Sequence, residues 1–180
     1  MILTDQLREE NERIRTVLRV LEKIGKRMDS PVQVDPEDLG EVVELTEVLV
    51  QRLHMKKEEA LLVSTMEESP VNEHGSLAHL LSEHSAIRKS FQEMKESVNR
   101  YRAGDHAARS AVSEAMRLYY AHLGQHLETA ERDLYGRVEI QLSTKKLDEL
   151  VQKFERLDKV VADKDLELRK LPKLTQTYLE

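Results

Sequence analysis

Two stretches of this chain repeat across nearly the same interval, and that repeat limits the available folds more than any other feature. Leu7-Arg8-Glu9-Glu10-Asn11-Glu12-Arg13-Ile14-Arg15 aligns with Leu80-Leu81-Ser82-Glu83-His84-Ser85-Ala86-Ile87-Arg88. Leu, Glu, Ile and Arg recur at identical offsets, and Asn11 stands opposite His84, 73 residues on (11 to 84). The run from His54 to Leu62 aligns with the run from His126 to Leu134, 72 residues on (54 to 126). Two independent segments with almost one offset describe two helix pairs of common pattern, related by an approximate two-fold axis. A site on that axis draws ligands from all four helices.

The apolar residues between the breaks recur at three- and four-residue spacing, the period of a helix with one buried face. Leu7, Ile14, Leu18 and Leu21 mark the first run, and Val43, Val50, Leu61 and Leu62 the second. Leu77, Leu80, Leu81, Ile87, Phe91 and Met94 mark the third. Val112, Met116, Tyr119, Leu123, Leu127 and Leu134 mark the fourth. A fifth run carries Leu147, Leu150, Val151, Phe154, Leu157 and Val161. Breaks fall at Asp29-Ser30-Pro31 through Asp35-Pro36, at Glu68-Ser69-Pro70 through Gly75, at Ala103-Gly104-Asp105 and, more weakly, at Ser143-Thr144. Asp35 is placed to cap a helix with Pro36 in its first turn, and Asp105 to cap the next but one. Charged residues at 34% and aromatics at 4% suit long amphipathic helices better than sheets. The expected class is all-α: an up-down-up-down antiparallel four-helix bundle over residues 1–140, followed by a helical extension over 141–180. That extension docks back on the bundle or pairs with a second subunit as a homodimer.

Composition also excludes. The chain has no cysteine, which removes disulfides, thiolate nucleophiles and cysteine-held zinc or iron–sulfur sites. Its net charge is −6 with the two signs interleaved, so no nucleic-acid partner is expected. The opening MILTDQLREEN turns charged within a few residues, and no run reaches the roughly 18 apolar residues of a membrane span. The expectation is a cytoplasmic protein without leader or membrane association. No serine–histidine–aspartate arrangement, glycine-rich phosphate loop or zinc-protease motif stands out, so no catalytic residue is assigned.

The histidines stand where a helix bundle favours leucine. His84 falls on the stripe of Leu80, Ile87 and Phe91, His54 continues Val43 and Val50, and His126 continues Met116, Tyr119 and Leu123. Asn11 lies between Leu7 and Ile14. An imidazole buried without a partner costs about 1–3 kcal/mol, and a shared metal ion removes that cost by taking the ring lone pair. Glu58 follows His54 by four residues, one turn along the same face. A single core histidine is ordinarily a hydrogen-bonded packing residue; three at equivalent points of a repeat point to metal. His122, one turn before His126, is either a ligand or lines the cavity mouth. His74, His79 and His106 read as solvated, as do the acidic runs apart from Glu58.

These residues resemble the hemerythrin-like, or HHE cation-binding, family. Glu83-His84-Ser85-Ala86-Ile87-Arg88 matches the Glu-His-x-x-Ile-Arg pattern of that family's first and third helices. His54-Met55-Lys56-Lys57-Glu58-Glu59 with Leu62 matches the His-x-x-x-Glu pattern of its second and fourth. The resemblance spans about residues 5 to 137. It implies a four-helix bundle around a non-haem, oxo- or hydroxo-bridged di-iron centre, whose members bind or sense O2, NO or peroxide or handle iron. Two positions depart from the pattern: Asn11 replaces a histidine, and Ala130 the bridging glutamate. Glu131, five residues after His126, resembles the later carboxylate of the oxygen-carrying hemerythrins.

The implied ligand set is His54, Glu58, His84, His126 and Glu131, with Asn11 or His122 as further ligands or supporting groups. Tyr119 and Tyr135 either pack the core or donate a proton or electron to a bound oxygen species. Di-iron is the expected cofactor, with mononuclear iron or zinc open. The expected function is a sensor or carrier of a small diatomic ligand or peroxide. Turnover of peroxide or NO at the same centre is the enzymatic version. The alternative is a degenerate bundle, partly or wholly without metal, that serves as an interaction module.

Overall fold

The computed structural model describes residues 3–68, 74–161 and 164–180, and every regular element among them is helical. The first helix, α1, is Leu3–Met28. Its buried residues Leu7, Asn11, Ile14, Leu18, Leu21, Gly25 and Met28 step alternately by four and three along the chain. Val17, Val20 and Ile24 are buried beside them, so a broad apolar face turns inward and carries the amide of Asn11 with it.

Helix α2, residues 36–68, comprises Pro36–Thr46, a π-helical stretch Glu47–His54 and Met55–Glu68. Its start follows the sequence expectation: Asp35 Oδ1 accepts the Glu37 amide at 2.9 Å, and Pro36 opens the first turn, where its missing N–H costs nothing. Helix α3 is His74–Arg102. Gly104 then turns the chain at φ 98°, a left-handed conformation that residues with a Cβ avoid. A 3-10 turn, His106–Ala108, leads into α4, residues 109–141, built of Arg109–Thr129, π-helical Ala130–Tyr135 and Gly136–Gln141. Asp105 opens that turn, but its side chain makes no capping bond and is held by Arg100 at 2.6 Å.

Ser143 caps α5, Thr144–Val160, by accepting the Lys146 amide at 3.3 Å. Its hydroxyl donates to Glu68 at 2.6 Å, which ties the start of α5 to the end of α2. Two short helices, α6 (Lys164–Leu168) and α7 (Leu171–Leu179), complete the chain. The break expected at 69–73 lies outside the described residues, as do the side chains of Leu62, His74 and Leu77. Among the described residues no helix is long and apolar enough to cross a membrane.

Contacts between the long helices pair the beginning of one with the end of its neighbour. Asn11 of α1 meets Glu131 of α4, and Gly25 meets Ser113. Glu83 of α3 meets His126 of α4, and Ser90 meets His122. Glu47 of α2 meets Lys95 of α3, and Glu59 meets Arg88.

Most of the buried apolar side chains fall into two clusters. The larger takes Ile14, Val50, Ile87 and Leu123 from the four long helices and Leu174 and Tyr178 from α7. The second gathers Leu3, Leu7, Leu61, Ala130 and Tyr135 with Leu150 and Phe154 of α5. Between them lies a polar layer. Leu7 and Ile14 bracket Asn11, Val50 and Leu61 bracket His54, and Leu123 and Ala130 bracket His126. The fold thus places its histidines on the level where one apolar cluster gives way to the other.

Phe154 is fully buried against this second cluster, with the Lys57 ammonium 5.5 Å from its ring centre. Phe154→Ala is expected to lower unfolding stability by about 3–5 kcal/mol in chemical denaturation, the usual cost of removing a buried phenyl ring. A loss under about 1 kcal/mol would show that α5 contributes little to the interior.

Candidate metal centre

Glu58 of α2 is the hub of the polar layer and has no solvent exposure. His54, one turn earlier on the same helix, brings Nε2 to 3.2 Å from Glu58 Oε1. From α3, His84 Nε2 lies 3.2 Å from Glu58 Oε2, and from α4, His126 Nε2 lies 2.7 Å from the same oxygen. All three imidazoles are buried, and the His84 and His126 rings meet edge-on with centres 4.9 Å apart. Ligand atoms of His54, Glu58 and His126 lie within 4.8 Å of one another. Three of the four long helices thus deliver a ring nitrogen to one carboxylate.

Each imidazole has its other nitrogen turned to a carboxylate on a neighbouring helix. His84 Nδ1 meets Glu59 Oε1 at 3.0 Å, His126 Nδ1 meets Glu83 Oε2 at 3.0 Å, and Glu10 Oε2 lies 3.6 Å from His54 Nδ1. An outer carboxylate of this kind fixes the ring orientation and leaves the Nε2 lone pair free to face a cation. The outer groups are themselves anchored. Arg88 binds Glu59, and Lys57, only 1% exposed, binds Glu10 together with Asp158 of α5 at 2.9 Å.

The residues present fit a metal ion. Neither ring nitrogen of His54 makes a hydrogen bond although the ring is buried, because its contacts with Glu58 and Glu10 lack hydrogen-bond geometry. That arrangement costs free energy in a dry interior and is relieved by a cation between Nε2 and the Glu58 oxygen. The donors are imidazole and carboxylate, a set suited to iron, zinc or manganese.

The other candidate residues divide around this core. Asn11 is fully buried on α1, and its Nδ2 donates to Glu131 Oε1 at 2.7 Å and to the Tyr135 hydroxyl at 3.4 Å. Glu131 is half-buried, and its carboxylate faces Asn11 and Arg15 (2.9 Å). Tyr135 donates to Glu58 Oε1 at 2.5 Å. Tyr119 packs against Phe91 deeper in the interior, with its hydroxyl 3.4 Å from Gln51. His122 sits half-buried with Nδ1 3.2 Å from Ser90 Oγ. His79 and His106 are exposed.

Glu10, Glu59, Glu83 and Lys57 were not singled out by sequence, where they look like members of solvated acidic and basic runs. The repeat held the missing signal. Glu10 and Glu83 are equivalent across it, as are Glu59 and Glu131, and Arg15 and Arg88. Arg88–Glu59–His84 on one side therefore has its counterpart in Arg15–Glu131–Asn11 on the other.

Without metal, the layer holds charge by pairing. Burial alone would lower the pKa of His54, but Glu58 and Glu10 outweigh it and raise it to about 9. Burial acts the same way on His126, and Glu58 with Glu83 raises it to about 10. Burial would raise the Glu58 carboxyl, yet His54 and His126 hold it well below the usual carboxylate range. A histidine whose pKa rises on folding contributes stability that is fully present below its unfolded value near 6.5 and disappears as pH climbs through the folded value. The metal-free protein is therefore expected to lose thermal stability between pH 7 and 10, with the loss reduced in His126→Gln. A melting temperature flat over that range would contradict the pairing.

Comparison with known proteins agrees with this geometry. The family model of the hemerythrin HHE cation binding domain matches residues 2–138, the stretch that supplies every histidine and carboxylate of the inner cluster. No curated protein and no solved structure matches the chain. With its family pattern matched over most of its length and its histidines gathered on one buried glutamate, the chain belongs to the hemerythrin HHE cation-binding family.

Proposed function

We propose that this protein is a non-haem iron protein that binds or senses O2, NO or peroxide at the His54–Glu58–His84–His126 centre of an up-down-up-down helical bundle. The observation that carries this reading is the convergence of three buried imidazole Nε2 atoms on one buried carboxylate, each ring backed by an acidic group. Held by His54, Glu58, His84 and His126, iron would supply a redox-active Lewis acid for a small ligand.

The side chains do the rest. Glu58 supplies negative charge where water does not reach, and the three histidines fix the ion with neutral nitrogen donors. Glu59, Glu83 and Glu10 hold the rings in place from behind. The apolar clusters on either side of the layer keep bulk water away from it.

Protein purified without oxygen is expected to contain iron by elemental analysis, and His54→Ala and His84→Ala to lose it. Chelator should lower the melting temperature of the loaded protein, since an ion that binds only the folded chain stabilises it. Protein that arrives without iron and takes up none from Fe2+ under anaerobic conditions would overturn the reading.

A further inference from the structure

The two halves of the repeat agree in their outer groups and differ in their inner ones. Arg88–Glu59–His84 and Arg15–Glu131–Asn11 are built alike, and Glu83 and Glu10 occupy matching places. Inside, His84 is answered by Asn11, and Glu58 by Ala130. A symmetric centre for two ions would need an imidazole and a bridging carboxylate at those two positions.

What stands there instead is Tyr135. It reaches the layer because residues 130–135 form a π turn, in which backbone bonds run from i to i+5. On an α-helix, residues five apart point about 140° away from each other; on a π turn they fall nearly one above the other. The turn thus brings Tyr135 onto the face that Ala130 occupies, and the alanine methyl leaves room for the ring. Tyr135 is fully buried, its hydroxyl donates to Glu58 Oε1 at 2.5 Å, and it receives the Asn11 amide at 3.4 Å. A glutamate bridging two ions offers one oxygen to each. Here Glu58 Oε2 faces His84 and His126, while Oε1, which has His54 Nε2 at 3.2 Å on the same helix, accepts the Tyr135 proton from the side where a second ion would sit.

We propose that the centre takes one metal ion per chain, and that Tyr135, supported by Asn11, stands in the second position and holds Glu58 Oε1. The di-iron arrangement implied by the family resemblance is then replaced by a mononuclear one. Tyr135 acts here as a positioning residue: it fixes how Glu58 meets the ion by occupying one of its oxygens. This inference rests on the metal-binding reading above.

Co2+ titration of the full chain, followed by visible absorption and elemental analysis, tests both. One ion per chain is expected. Two ions would overturn the one-ion inference and leave the metal-binding reading intact, whereas none would overturn both. Asn11→His with Ala130→Glu and Tyr135→Phe restores the inner symmetry, and this triple variant, if circular dichroism shows it helical, is expected to take up a second Co2+. A helical triple variant that stays at one ion would overturn the assignment of those positions. Tyr135→Phe alone removes one oxygen atom and keeps the ring. It should still bind one ion, with affinity lower by about tenfold to a hundredfold. Its Co2+ absorption bands should also shift as the freed Glu58 oxygen turns toward the metal. Unchanged affinity and bands in Tyr135→Phe would overturn the positioning role.

Discussion

A carboxylate with no solvent exposure, Glu58, sets the terms for everything around it. An unpaired charge in that position is prohibitively costly, so the interior has to supply compensation on the spot. It does so with groups that are ambivalent about charge. Imidazoles neutralise Glu58 as cations when protonated, and as neutral donors they share it with a metal. Helices α2, α3 and α4 each contribute an imidazole to that compensation, so they cannot slide past one another without breaking it. Register in this bundle is set as much by the polar layer as by the apolar layers on either side.

The second tier of residues extends the same logic outward. Each imidazole leans on an acid, and Glu59, Glu131 and Glu10 lean on Arg88, Arg15 and Lys57. Acidic and basic groups alternate from Glu58 outward, and His54 is the link whose ring nitrogens are left without a hydrogen bond. Lys57 shows how far this goes. It is a lysine with almost no exposure, and it is accommodated only because Glu10 and Asp158 approach it from opposite sides, one from α1 and one from α5.

Much of this was legible in the sequence, and the failures have physical causes. His54, His84 and His126 announced themselves because an imidazole on a leucine stripe is conspicuous, and Glu58 followed from helical spacing. Asp35 was legible as a cap because a short polar side chain before a helix does one thing well, whereas Asp105, read the same way, turns to Arg100 instead. Glu131 was found at the right level, but its side chain faces Arg15 and Asn11, five residues being the wrong angle for an α-helical approach to the core. The outer acids were missed because a glutamate with a charged neighbour reads as solvated unless its partner in the repeat is also considered. Tyr135 was read only as a general proton donor or packing residue. Periodicity assumes 3.6 residues per turn throughout, and a π turn breaks that assumption at the place where the residue matters.

The family match ends at residue 138, but the hydrophobic interior does not. Leu150 and Phe154 lie in the same cluster as Leu3, Leu7 and Tyr135, and Leu174 and Tyr178 lie in the larger one. A boundary inherited from relatives would therefore cut through the middle of this molecule's own packing and strip Lys57 of Asp158. What the family shares and what this chain needs in order to be a finished object are two different lengths of polypeptide.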